Sequence, residues 1–352
     1  MTTHDAGPTG LSLPAPRVLD TSGARPLRWG VVGTGIGARF VAALHANTPQ
    51  RVVVWAARDA ARTQAVARRH GVDRVRTDLR LLVEDPEVDA VYIATPHPLH
   101  RDQALAAIAA GKHVLVEKPM AMTAADATAV TTAAAEAGVL AMEAMWTRYL
   151  PQTDVLRQVL ADGLLGEPRL VRADLGSAVP YDPASRLWDP ALGGGALLDV
   201  GVYPISLASM VLGQPVAVAA SGTLAPSGVD ASAHVLLSGE GDAAAQLSTS
   251  LVTELPATAV VIGSAGHARV AAPFYAPTGL TVTVGPEGSA RTASWTHPAS
   301  GDPQGADDGF AFQATAFAHY VDQGRVESPL HTHAETVSVL ATIDEVRRQL
   351  GA

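Results

Sequence analysis

From Leu27 onward, short apolar runs alternate with longer stretches whose apolar residues recur at helical spacing. Residues 28–32, 51–57, 90–94, 113–117 and 139–143 have the length and apolar character of strands. Residues 36–46, 60–70, 99–110 and 124–137 lie between them, each long enough for a helix. Alternation of this kind predicts a parallel sheet with helices on both faces.

After Leu150 the texture changes. A helix is expected over 150–161, ending at Gly163, with a strand after Pro168. A glycine-rich segment leads into a helix over 197–212. Short strands follow at 216–222, 234–238, 243–251, 259–262 and 280–284, separated by Gly, Pro and Ser. Helices over 310–323 and 333–350 close the chain. This half reads as an α+β domain with a mostly antiparallel, open sheet. Residues 1–26 are rich in Thr, Pro and Gly and read as a flexible arm. The expected division is thus a 1–26 flexible arm, a 27–145 α/β domain and a 146–352 α+β domain.

Composition narrows the chemistry. At 352 residues the chain is long enough for about two domains. With no cysteine, disulfides, zinc-thiolate sites, iron–sulfur clusters and a cysteine nucleophile are excluded. Twenty-five basic against 34 acidic residues give a net charge of −9, and no basic stripe offsets it, so no nucleic-acid partner is expected. No run of about 18 apolar residues appears, and the first residues lack the basic start and apolar segment of a secretory signal. No membrane association is expected, and the expected compartment is the cytoplasm.

Residues 28–40 read RWGVVGTGIGARF. Gly33-x-Gly35-x-x-Ala38 follows an apolar strand and opens a helix, the dinucleotide-binding form of a Rossmann domain. The first glycine allows the tight turn, the second lets a pyrophosphate approach the backbone, and Ala38 keeps helix and strand close. Ile36 and Gly37 complete the loop at the helix N-terminus, whose N–H groups face the phosphates. The second strand runs into Arg58, with Arg62 one turn later. Arginine at this place suits the 2′-phosphate of NADP, so NADP is expected, with NAD possible; the alternative is two solvated surface charges. Asp59 is expected to cap the following helix rather than hold a ribose.

Two further segments end parallel strands, where ligands bind in open α/β sheets. One holds Thr95, Pro96, His97 and His100; the other is AGKHVLVEKP, ending in Glu117, Lys118 and Pro119. Together with the downstream GGGALLDVGVYP, these motifs resemble the Gfo/Idh/MocA family of NAD(P)-dependent oxidoreductases, in family order from about Leu27 to the C-terminus. His97-Pro98, the segment MEAMWTRY at 142–149, and Tyr203 where many members carry histidine look like the branch of dihydrodiol and aldose dehydrogenases. A mechanism relying on histidine at 203 does not carry over unchanged.

The resemblance implies a cofactor site including Thr95, Pro96, His97, His100, Glu117 and Lys118, and a catalytic set of Lys118, Asp199 and Tyr203. The residue chemistry agrees. Hydride transfer at an alcohol carbon needs a proton-exchanging group and positive charge beside the oxyanion. Asp199 and Tyr203 stand four apart, on one helix face. The expectation is that Tyr203 exchanges the hydroxyl proton with help from Lys118, while Asp199 orients Lys118 and substrate. Arg148 reads either as a substrate or cofactor-amide ligand or as a salt-bridged hinge arginine. Trp188 and Tyr181 read either as sugar-stacking aromatics or as packing. His100 reads as support for the cofactor turn. His331 and His333 read as a surface pair, and no metal is indicated.

The expected activity is hydride transfer between nicotinamide and a sugar, cyclic polyol or dihydrodiol. Alternatives are a family branch that cleaves glycosides through transient NAD-dependent oxidation, and a non-catalytic sugar-sensing regulator. The family commonly associates through the open face of the second sheet, which implies a homo-oligomer.

Overall fold

The computed structural model describes residues 10–21, 23, 25–298, 300 and 309–352. They form two compact units, each described by itself. The first runs from Leu19 to Trp146 and takes in the segment that ends at Val337. Its sheet contains β1 (Arg28–Val32), β2 (Arg51–Ala56), β3 (Val75–Arg76), β4 (Ala90–Ile93), β5 (His113–Glu117) and β6 (Ala141–Ala144). All pairs are parallel, in the order β3-β2-β1-β4-β5-β6. The order reverses direction beside β1, opening a crevice at the carboxyl ends of β1 and β4, where such sheets bind dinucleotides.

The helices form where the local chemistry allows. These are α1 (Ile36–Asn47), α2 (Ala60–Arg69), α3 (Leu79–Val83), α4 (His100–Ala109) and α5 (Ala124–Ala137). Asp59 caps α2 by accepting from Arg62 N, as expected from its position. Thr123 caps α5 in the same way, and Gly138, in the left-handed region, ends it. Elements β3 and α3 carry no sequence signal of their own, being two and five residues long.

The second unit takes in the described residues of Met1–Val18, Thr147–Ala306 and Ser338–Ala352. It holds α6 (Pro151–Ala161), β7 (Pro168–Gly176), α7 (Val202–Leu212), β8 (Ala217–Leu224), β9 (Asp230–Ser238), β10 (Ala244–Ser250), β11 (Ala259–Gly263), β12 (Gly266–Val270), β13 (Gly279–Val284) and β14 (Arg291–Thr296). The eight strands lie in the order β14-β13-β12-β11-β7-β10-β9-β8. Among the described residues of this sheet only β7 and β10 pair in parallel, from Leu170 opposite Ala244 to Gly176 opposite Ser250. Along β9, Ala233, Val235 and Leu237 are buried while His234 and Leu236 are exposed, so one face packs and the other stays open. The open face carries Arg172, Asp174, Ser221, His234, Gln246 and Ser248 around a depression of about 560 Å³. Strands β12 and β14 escape the hydrophobic pattern because each buries only two residues.

Two features differ from the sequence reading. The chain crosses between units more than once: α8 (Gly309–Asp322) and the first turn of α9 (His333–Leu350) belong with the nucleotide unit. There Phe317 packs on Trp29 with ring centroids 4.9 Å apart, and Phe310 meets Phe40 edge-on. The supposed arm is also anchored from residue 10 onward, its earlier part lying outside the described residues. Leu11 and Leu13 are buried, and Arg17 N donates to Asp154 at 2.6 Å.

The stretch Pro190–Leu212 is long and apolar enough to cross a bilayer, yet 67% of its apolar window is buried in its unit. It is a core element, opened by a π-turn at Leu197–Gly201 that the helical pattern did not reveal.

Candidate active site

The turn after β1 is built for close backbone approach. Gly33 sits at φ +103, and a Cβ there would enter the Ala94 carbonyl. Its N–H donates to Ala56 O at 2.9 Å and its carbonyl accepts from Trp55 Nε1 at 2.8 Å, so the end of β2 holds it on both sides. At Gly35 a Cβ would stand in open space. Helix α1 begins there with no side-chain cap and no acidic residue in its first turn. Open space over uncapped N–H groups fits a dinucleotide pyrophosphate. The close helix–strand contact falls to Gly37 rather than Ala38. Gly37 is buried and a Cβ there would lie 3.3 Å from Val31 Cγ1, whereas Ala38 and Ile36 are half-buried.

Arg58 and Arg62 are exposed at the end of β2 and the start of α2. Among the described residues neither forms an ion pair. Asp59 between them uses its carboxylate on the Arg62 amide.

At the ends of β4 and β5, buried polar groups hold two loops together. His100 is fully buried; Nδ1 lies 2.9 Å from Pro119 O and Nε2 2.8 Å from Thr95 O. Both ring nitrogens thus face main-chain carbonyls, and His100 ties the Thr95 loop to the Lys118 turn. Burial pushes its pKa below the usual histidine value, against the pull of the two carbonyls. His97 is buried beside it, ring edge to face at 5.6 Å. Pro96 is half-buried, and Thr95 Oγ1 donates to Gln103 Oε1 at 2.7 Å.

Glu117 is buried, with Tyr92 Oη donating to one carboxylate oxygen and Lys118 N to the other at 3.2 Å. Burial pushes this carboxyl above the usual carboxylate range, opposed by Tyr92 and Lys118. Its two oxygens thus tie the Lys118 turn to Tyr92 of β4. Met120 N, on the far side of the turn, donates to Glu143 Oε1 at 2.7 Å. The other Glu143 oxygen meets His331 Nε2 at 2.7 Å, both groups buried. His333 Nε2 lies 2.9 Å from Ala141 O. These histidines are therefore interior braces and not a surface pair; their partners lie nearly two hundred residues away, beyond any local pattern.

Lys118 emerges half-buried from this frame, followed by a cis peptide to Pro119. The chain contains only two lysines among its 25 basic residues. The other, Lys112, spends its ammonium on the carbonyls of Asp85 and Val88 at 3.0 and 2.8 Å. Where arginine is used almost everywhere else, a lysine marks a place that needs a compact ammonium.

In the second unit the three glycines each have a reason. Gly193 and Gly195 take φ values of 73° and 114°, and a Cβ at Gly194 would crowd the carbonyls of Arg186, Leu187 and Asp189. The π-turn and α7 then carry Asp199 and Tyr203, both half-buried. Asp199 Oδ1 accepts from Arg186 Nη2 at 3.0 Å, a partner the sequence reading did not foresee. Tyr203 stacks with Tyr275, centroids 5.8 Å apart.

Arg148 and Trp188, read either as ligands or as framework, both make framework contacts. Arg148 is buried and donates through Nε to Ser206 Oγ at 2.9 Å and through Nη2 to Ser206 O at 2.8 Å. Trp188 is 1% exposed, packs with Ala196, Val229, Ala231 and Leu251, and donates to Pro180 O at 3.0 Å. Tyr181 stays 44% exposed beside it.

Comparison with known proteins agrees with this layout. Residues 27–145 match the family model described as oxidoreductase family, NAD-binding Rossmann fold, and residues 153–269 match the GFO/IDH/MocA C-terminal domain. Trans-1,2-dihydrobenzene-1,2-diol dehydrogenase of Sus scrofa is 35% identical over 336 residues, covering 92% of this chain and 97% of the relative. The Homo sapiens enzyme of that name is 33% identical over 332 residues, with the same coverage. A 3-ketoreductase from Actinomadura kijaniata, solved with NADP and TDP-benzene, superposes with a TM-score of 0.79 at 28% identity over 93% of this chain and 98% of that one. An aldose–aldose oxidoreductase from Caulobacter crescentus, solved with glycerol, gives 0.80 at 26% identity over 92% and 97%. Both halves of the chain, and the strand-end motifs between them, thus place it in the Gfo/Idh/MocA family of oxidoreductases.

Proposed function

We propose that this protein is an NADP-dependent dehydrogenase or reductase acting on a secondary alcohol or carbonyl of a sugar, cyclic polyol or dihydrodiol. The observation that carries the reading is Lys118. It is one of two lysines in the chain, set on a turn whose neighbouring N–H and C=O groups are held by Glu117, His100 and Glu143.

Nicotinamide, when bound, supplies or takes the hydride. Gly33, Gly35 and the N-terminus of α1 receive the pyrophosphate, and Arg58 with Arg62 receive the 2′-phosphate, which favours NADP over NAD. The Lys118 ammonium stabilises negative charge developing on the substrate oxygen. The Tyr203 hydroxyl accepts the substrate's hydroxyl proton in oxidation and returns it in reduction. Asp199, paired with Arg186, orients the substrate hydroxyl. The relatives named as a dihydrodiol dehydrogenase, a 3-ketoreductase and an aldose–aldose oxidoreductase support this substrate class. The open face of the eight-stranded sheet supports association into a homo-oligomer, and the proposed location is the cytoplasm.

The test is absorbance at 340 nm with NADP and NAD against aldoses, inositols and vicinal diols. Lys118→Ala and Tyr203→Phe are each expected to lower turnover about 10²-fold or more. Their double variant should lose little further, as for residues serving one step. Near-normal turnover in both single variants would overturn the assignment, and equal or tighter binding of NAD would overturn the cofactor preference.

A further inference from the structure

The helix bearing Asp199 and Tyr203 begins at a triple glycine, and its first N–H groups meet a carboxylate from another part of the chain. Asp230, the first residue of β9, is 1% exposed. Its Oδ2 accepts from Leu197 N at 2.6 Å, and Ala196 N bonds to the same carboxylate. Its Oδ1 occupies the space at Gly195 that any Cβ would need. Carboxylate and glycine are therefore matched: a side chain at 195 would expel Asp230, and the left-handed φ there admits glycine.

Most helices cap themselves with a neutral or exposed residue next in sequence. This one takes its cap from 33 residues away, from a buried acid. Burial pushes that carboxyl up to about 6, with the backbone N–H groups and Arg347 of α9 pulling it down. Holding a charge in such a place is unfavourable unless it is paired or hydrogen-bonded, as this one is by two backbone N–H groups. It acts on the helix start, where charge-assisted hydrogen bonds and the positive end of the helix dipole fix the rotation of the first turn. From that turn, Asp199 N reaches back to Gly195 O at 3.3 Å, and Tyr203 follows one turn later.

We infer that Asp230 is a positioning residue for the reaction, a carboxylate that sets the rotation of the helix presenting Asp199 and Tyr203. The inference rests on the catalytic reading of those two side chains. Its geometry at Gly195 and Leu197 stands apart from that reading.

The test uses the full chain with NADP and its best alcohol substrate. Asp230→Ala should lower kcat about tenfold or more while the NADP dissociation constant and the substrate KM stay within twofold. Asp230→Asn, which keeps the shape and one acceptor oxygen, should fall between that variant and the parent. Amide exchange at 196 and 197 should rise in the same order. The inference is overturned if Asp230→Ala keeps kcat within twofold, or loses it with exchange at 196 and 197 unchanged. Should Asp230→Ala fail to fold, an unchanged kcat in Asp230→Asn alone overturns it. Tyr203→Phe separates the two readings. Full activity in that variant removes the catalytic role of Tyr203, whereas the exchange data still report whether Asp230 holds the helix.

Discussion

Two glycine-rich turns lead into helices in this protein, one in each unit, and they put the same backbone physics to opposite uses. Gly33 and Gly35 open α1, leaving its first N–H groups uncapped and the space at Gly35 empty of side chains. Gly193–Gly195 open the helix of Asp199 and Tyr203, and there the Asp230 carboxylate fills the corresponding place. A helix N-terminus attracts an anion in both cases. The first turn leaves the anion to a ligand. The second receives it from β9, and what it exposes is its side chains one and two turns on. A glycine cluster before a helix therefore specifies an anion site, and only the packing around it says whose anion.

Exchanging the two arrangements should show the difference. Gly35→Asp places a carboxylate where no atom lies within 4 Å of a Cβ, so the fold should survive. The charge should oppose the pyrophosphate and weaken NADP binding by about 100-fold, roughly 2.7 kcal/mol, measured by fluorescence titration. Gly195→Ala attacks the other turn. Its Cβ collides with Asp230 in a left-handed backbone position, and destabilisation of about 2 kcal/mol is expected in urea unfolding, with NADP affinity retained.

The smallest expected effect is on pH. Asp230 is raised from 3.8 to about 6 in the folded protein, so on acidification the fold takes up a proton before the unfolded chain does. This group should therefore add about 1 kcal/mol of stability as pH falls from 7 to 5. Asp230→Asn should lack that increment when unfolding is compared at the two pH values. No difference between parent and variant would remove the buried charge from the account.

Much of the nucleotide unit was readable because its signals are local. Strand, glycine turn and helix follow one another within residues 28–47, and the side chains that define the turn lie within it. Asp59 as a cap and Lys118 at a strand end were readable for the same reason. The residues that the structure holds as framework share a different property. Arg148 reaches Ser206 across 58 residues, and His331 reaches Glu143 across 188. Trp188 closes a core with residues from β9 and the end of β10, and His100 joins two strand-end loops. Each is a polar or aromatic residue whose chemistry suits a ligand as well as a neighbour. Composition cannot separate those uses, because a buried donor bonds to whichever acceptor the fold brings to it.

The sequence by itself determined the parallel nucleotide-binding sheet, the glycine turn, the family and the residue types from which its chemistry is drawn. Hydrophobic period and turn chemistry are short-range, and they act before the chain folds back on itself. Tertiary structure alone decided which helix N-terminus stays open and which is filled. It turned His100, Glu117, Arg148 and Trp188 inward as framework, and it brought Asp230 beneath Gly195. Those outcomes depend on carboxylates, carbonyls and rings meeting across long separations, where the desolvation of each group is settled by what packs against it.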